Sequence, residues 1–170
     1  MSDSPIAARL TIRPATAADA GVIYASIVKI GEHTGEAHKI TATVEDIRAH
    51  GFGDRPAFRV LVAEVDGRFA GICLWFASFS TWRGRPGVYV QDLFVEAAFR
   101  GRKVGETLLK SLAARVRAEG GVYIRLSVDR RNGSAQRFYD RMGFGVVDDD
   151  MICAAYGDAF DALAAGGDDR

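Results

Sequence analysis

The stretch from Val88 to Leu109 constrains this chain more than any other. It opens Val-Tyr-Val-Gln-Asp-Leu-Phe-Val, a β-branched and aromatic run that predicts a strand. It closes on a helix whose apolar face is Val104, Leu108, Leu109 and, one turn on, Leu112. Between the two lies a short basic turn carrying Gly101 and Gly105. A strand that feeds a helix through such a turn leaves several backbone N–H groups free around one point, and the helix dipole adds partial positive charge there. The turn is built to hold a phosphate. It is not a Walker A loop, because no Gly-Lys-Ser/Thr closes it, and it is not the dinucleotide Gly-x-Gly-x-x-Gly.

The rest of the composition fits one ordinary domain. The chain has 170 residues, enough for a real core, and is read as a single domain over 1–170 with 1–7 and 166–170 as loose ends. Lys+Arg and Asp+Glu both number 22, so no basic excess points to nucleic acid. Cys73 and Cys153 each sit in an apolar run and are read as buried free thiols of a reducing compartment. No run is apolar enough to cross a membrane and no leader is recognisable, so a cytoplasmic protein is expected.

Taken in order, Arg9–Arg13 alternates and predicts a strand. Thr16 with Asp19 is a capping-box-like start for a helix striped by Val22, Ile23, Ile27 and Ile30 and ended by Gly31. Glu32–Ala42 reads as a loop or broken helix, and Thr43 starts a short helix. Ala57–Glu64 and Arg68–Ser80 predict strands joined at Asp66-Gly67, a strong hairpin signal. Thr81–Gly87 is the next turn. After the helix of about Gly101–Glu119, Val122–Val128 predicts a strand buried on both faces. Asn132–Met142 predicts a helix capped by Gly143, and Val146-Val147 with Met151–Ala155 a last strand pair.

Arg100, Gly101, Arg102, Val104 and Gly105 resemble the Arg/Gln-x-x-Gly-x-Gly/Ala signature of the GNAT superfamily of N-acetyltransferases, with Lys103 where the first signature glycine is usual. Asn132-Gly-Ser-Ala-Gln-Arg-Phe138-Tyr139, followed by Gly143-Phe144, is similar to the family's second motif. Gly51-Phe52-Gly53-Asp54, Thr81-Trp82-x-Gly84 and Asp92-Leu93-Phe94-Val95 look like the diamine (spermidine/spermine) acetyltransferase branch. The resemblance implies an α/β fold with a mixed central sheet of about six to seven strands, helices on both faces, and strands four and five splayed for the cofactor. It implies acetyl transfer from acetyl-CoA to a primary amine of a small molecule, by direct attack in a ternary complex and without a metal. A homodimer is suggested by the branch alone. An amino-acid, aminoglycoside-like or protein amine, or a non-catalytic acetyl-CoA-binding module, are the alternatives.

By that resemblance the backbone of Leu93, Phe94 and Val95 bonds the pantetheine arm. Arg100, Gly101, Arg102, Lys103, Val104, Gly105 and Glu106 form the pyrophosphate turn. Tyr139 protonates the departing thiolate; by spacing alone Phe138-Tyr139 is the apolar face of a helix. Asn132 bonds the pantetheine, caps its helix, or does both. The branch's Glu-Asp pair reads Gln91-Asp92 here, and glutamine cannot take a proton. Asp92 is then the candidate base, or else one half of an ion pair with Arg85 or Arg125. Alternation along a strand would send Gln91 and Asp92 to opposite faces. Glu32 and Glu36 could meet a cationic amine, with His33 or His38 as another base, unless this is simply a solvated loop. Trp82 matches a residue lining the acceptor site, or makes a hairpin or dimer contact.

Overall fold

The computed structural model describes residues 9–147 and 153–165, and the chain divides after Asp129 into two compact units. The first holds a five-stranded sheet in sequence order: β1 (Leu10–Pro14), β2 (Arg59–Val65), β3 (Arg68–Ser80), β4 (Arg85–Val95) and β5 (Ile124–Leu126). The first four are antiparallel, and β5 pairs parallel to β4 after a crossover through a helix. The sheet is mixed as expected, with five strands among the described residues rather than six or seven. Val146 and Val147 are in no strand and are exposed, and part of the predicted last pair lies outside the described residues, as do both loose ends.

Alternation along β2 and β3 sorts the core into two layers. Val60, Val62, Ile72, Leu74 and Phe94 pack with Ala20 and Ile23 of α1 (Ala20–Thr34) and Ile47 of α2 (Val44–Phe52). Leu61, Ala63 and Cys73 are in the opposite phase and wholly buried. There α3 (Val104–Ala118) lies against β2, β3 and β4 with Val104, Leu108, Leu109, Leu112 and Val116 buried. Burying each of these side chains contributes about 2 kcal/mol. The hairpin between β2 and β3 turns on Asp66 and Gly67, both left-handed at φ 50° and 74°, as Asp-Gly predicts.

Several boundaries differ from the sequence reading. Gly31 does not end α1. It lies inside the helix because a Cβ there would meet Ile40 Cδ1 at 2.7 Å and Ala37 Cα at 3.1 Å. The helix stops four residues later at Gly35, which is left-handed at φ 75°. Glu32 and His33 therefore ride its last turn, and only Ala37–Lys39 adds a short 3₁₀ turn. β5 is short and half-exposed rather than buried on both faces, since it pairs with β4 over three residues.

An ion cluster fastens the start of the chain. Arg13 donates to both oxygens of Asp19 at 2.8 Å and to Glu64 Oε1 at 2.8 and 2.9 Å. Asp19 also accepts from the Thr16 amide at 2.7 Å, so the capping box forms. Arg13 and the Thr16 bonds hold the Asp19 carboxyl down at about 2.

The second unit contains α4 (Gly133–Arg141) and α5 (Asp158–Ala165) among its described residues. The sequence reading assigns no element to α5, which lies just before the expected loose end at 166–170. Cys153, expected buried, is exposed, because residues 153–156 form no regular element that could cover it. Cys73 is buried as expected.

Candidate active site

The first feature of the site is a gap beside β4. β5 pairs with β4 only at Val88, Tyr89 and Val90. From Gln91 to Val95, β4 runs on with β3 along one edge and, among the described residues, no strand along the other. β5 ends at Leu126, and its pairing with β4 stops at Val90. An edge that no described strand pairs with suits an extended ligand that bonds as a strand does. Leu93, Phe94 and Val95 lie on that edge. Arg100 Nε donates to the Val95 carbonyl at 3.1 Å and ties the following turn to the strand end.

The turn itself is made by backbone conformation. Gly101 is left-handed at φ 75°, and Lys103 adopts the same region at φ 60°, ψ 13° as the N-cap of α3. This is the conformation that glycine adopts freely; a lysine holds it at a cost of about 1–2 kcal/mol. Lysine carries no acceptor, and Lys103 makes no capping bond. The amides of Val104, Gly105 and Glu106 consequently have no intrahelical acceptor, and Thr107 is the first to bond back, to the Lys103 carbonyl at 2.9 Å. A Cβ on Gly101 would meet nothing within 4 Å, so the turn faces open space. Lone amides, a helix start and exposed Arg100, Arg102 and Lys103 fit a pyrophosphate. Glu106 in the first turn is neutralised by Lys110 at 2.6 Å, which lowers its pKa.

The second feature is Asp92. The register of β3 with β4 runs Leu74 to Asp92 and then Trp75 to Val90, so Gln91 is one residue too many. This is a β-bulge. The extra residue breaks the simple alternation from which opposite faces are expected for Gln91 and Asp92: Asp92 pairs with Leu74, and Gln91 falls at the register shift. Asp92 is half-buried, and it shares the α1 face with Phe94 through the pairings to Leu74 and Ile72. It has no ion pair among the described residues, with Arg85, Arg125 or any other cation. Burial without a charged partner pushes its carboxyl up to about 6. No described buried side-chain oxygen lacks a hydrogen bond, so the Asp92 oxygens reach the surface. Burial and the Asp92 charge push the neighbouring Cys73 thiol up to about 12, which leaves it inert as a nucleophile.

Toward α1, Lys29 pairs with Glu96 at 2.5 Å and stands 5.6 Å from the centre of the Phe94 ring. The sequence reading did not single out this pair, whose members are 67 residues apart. Glu32 and His33 follow one turn on from Lys29 along α1. Glu36 pairs with Lys39 at 2.6 Å, and His38 lies in the 3₁₀ turn. Trp82 is 99% exposed at the tip of the β3–β4 hairpin, roughly 20 Å of strand from Asp92, so the hairpin does not bring the two together.

In the second unit, Asn132 caps α4, its Oδ1 accepting from the Ala135 amide at 3.0 Å and from Ser134 Oγ at 2.9 Å. Tyr139 is half-exposed in α4, edge-on to Phe138 and Phe144.

A mixed sheet whose fourth strand leads through a glycine turn into a helix start is the arrangement that the resemblance implies for an acetyl-CoA-dependent transferase. The model of the Acetyltransferase (GNAT) family matches residues 25–144, and the chain belongs to that family. It is 32% identical over 140 residues to the bovine (Bos taurus) thialysine N-epsilon-acetyltransferase, covering 78% of this chain and 82% of that one. It is 27% identical over 128 residues to an L-ornithine N5-acetyltransferase of Arabidopsis thaliana, covering 75% and 53%. Among solved structures, an integron cassette protein from the mobile metagenome of V. cholerae superposes with a TM-score of 0.74 over 91% of this chain and 97% of that one, at 18% identity. The family and fold expectations hold, and the chain is an acetyl-transferring enzyme.

Proposed function

We propose that this enzyme transfers the acetyl group of acetyl-CoA to the side-chain amine of a small amino acid or to a related diamine, in one ternary complex. The observation that carries the reading is the bulge. It places a carboxyl poised near pH 6, with no charged partner among the described residues, on the strand whose open edge leads into the phosphate turn.

Acetyl-CoA supplies an activated acyl group and a thiol leaving group. The turn from Arg100 to Glu106 holds its pyrophosphate, and the open edge of Leu93 to Val95 holds its pantetheine arm and offers a backbone donor where the oxyanion develops. Asp92 accepts the proton that an aliphatic ammonium must lose, directly or through a water. Tyr139, matched to the family's second motif, holds at Oη a proton for the thiolate, and Asn132 fixes the start of its helix. Gln91, beside Asp92, offers a neutral amide where a diamine-type site would carry a second carboxylate. This favours an acceptor that carries a carboxylate of its own, as the bovine and plant relatives' named substrates do.

The test is release of CoA thiol from acetyl-CoA with thialysine, ornithine, lysine, putrescine and spermidine. Saturable turnover is expected, strongest with the amino acids. Binding of acetyl-CoA with no amine-dependent release would replace this reading with a cofactor-binding module.

A further inference from the structure

We infer that Arg68, on a strand outside the signature turn, is a binding residue for the 3′-phosphate of CoA and sets a preference for CoA over its dephosphorylated form. The inference rests on acetyl-CoA being the acyl donor. Arg68 is the first residue of β3, 34 positions before Arg102 in the chain, and the fold gathers both at one aromatic ring. The Arg68 guanidinium carbon lies 5.6 Å from the centre of the Phe99 ring, and that of Arg102 lies 5.9 Å from the same centre. Phe99 is 7% exposed and closes the link between β4 and the turn, so its position is fixed by the core. Each cation is attracted to the ring. Both are exposed, and neither pairs with a carboxylate among the described residues.

That arrangement gathers two cations around one ring, so an anion placed there is attracted by both. Lys29 and Lys110, by contrast, each have a carboxylate within 2.6 Å. The anion expected at Arg68 differs from the one at the turn. The turn offers neutral amides at a helix start, suited to a pyrophosphate that approaches the backbone closely. Arg68 offers a side-chain fork beside an aromatic ring, on a strand outside the turn. Such a fork suits a terminal phosphomonoester, which carries close to two charges and accepts bidentate bonds. Acetyl-CoA carries one such group, on its ribose.

The experiment is calorimetric binding of CoA and of dephospho-CoA to the whole chain and to Arg68→Ala, Arg68→Lys and Arg102→Ala. The wild type is expected to bind CoA about tenfold more tightly than dephospho-CoA. Arg68→Ala should lose that tenfold for CoA and leave dephospho-CoA unchanged, and Arg68→Lys should keep only part of it. Arg102→Ala should weaken both ligands, since Arg102 belongs to the turn. An equal loss for both ligands in Arg68→Ala, or no loss for either, overturns the assignment; a melting curve matching the wild type shows that the variant is folded. If the wild type binds neither ligand, the acetyl-CoA reading itself fails. Normal binding with the predicted Arg68 effect but no amine acetylation would sink the proposed reaction and leave Arg68 assigned.

Discussion

Asp19, buried, and Asp92, half-buried, belong to the same sheet-containing unit, and their acidities move in opposite directions. Asp19 receives two bonds from Arg13 and one from the Thr16 amide, and its carboxyl falls from 3.8 to about 2. Asp92 has no such partner, and burial alone lifts its carboxyl from 3.8 to about 6. The first arrangement spends a carboxylate on holding the chain together. The second keeps a carboxylate free to change its proton near neutrality, at a cost in stability. Partners, more than depth, separate a structural acid from a chemical one.

The largest expected effect breaks the comparison at its chemical end. Asp92→Asn should lower kcat/KM for the best amine by about 100-fold or more, the usual contribution of a positioned base. In the wild type, kcat/KM should fall on the acid side with an apparent pKa near 6, and this limb should be missing from the variant. An unchanged profile would move the base to Glu32, His33, Glu36 or His38. Next comes the structural end. Arg13→Ala leaves Asp19 and Glu64 without their cation and should cost about 2–3 kcal/mol in urea unfolding, with residual activity kept at temperatures where the variant is folded. A loss below about 0.5 kcal/mol would class the cluster with ordinary surface pairs.

The third prediction sharpens the contrast through pH. The Asp19 contribution is full above 3.8 and is lost as pH falls toward 2, whereas the Asp92 penalty is full above about 6 and is relieved as pH falls toward 3.8. Asp92→Asn should therefore be more stable than wild type by about 2 kcal/mol at pH 7, with the difference closing near pH 4. A variant that is less stable at pH 7 would mean that Asp92 has a favourable partner. The smallest effect concerns Asp46, which bonds Thr43 as Asp19 bonds Thr16 but without an arginine and in full exposure. Asp46→Asn should shift the melting temperature less than Arg13→Ala does. An equal shift would make the capping box, rather than the arginine, the source of the Asp19 effect.

What could be read in advance follows the same division between local and distant causes. The phosphate turn, the Asp66-Gly67 hairpin and the Asn132 cap were legible because each is written within a few consecutive residues. Asp92 was legible as a carboxylate out of place in an apolar strand. Its lack of a partner was not, because pairing with Arg85 or Arg125 depends on where distant chain segments lie. Gly31 misled because a glycine kept for close approach to Ile40 looks, in sequence, like one that ends a helix. The pairs of Lys29 with Glu96 and of Arg68 with Arg102 were invisible, since only the sheet brings those positions together. The left-handed Lys103 was signalled solely by the glycine it replaces in the signature.

The bulge at Gln91 can also be regarded as a phase slip in a wave of period two. Before it, β4 sends Val88 and Val90 into one layer of the core; after it, the buried Phe94 falls in the other. A single inserted residue lets one strand serve both layers in turn and carries the Asp92 segment to the α1 side of the sheet. Loss of one residue anywhere between the hairpin tip and Asp92 could be absorbed by straightening the strand, and the fold would survive with a regular ladder. The wave would then run unbroken. The strand would keep its stability and forfeit its asymmetry.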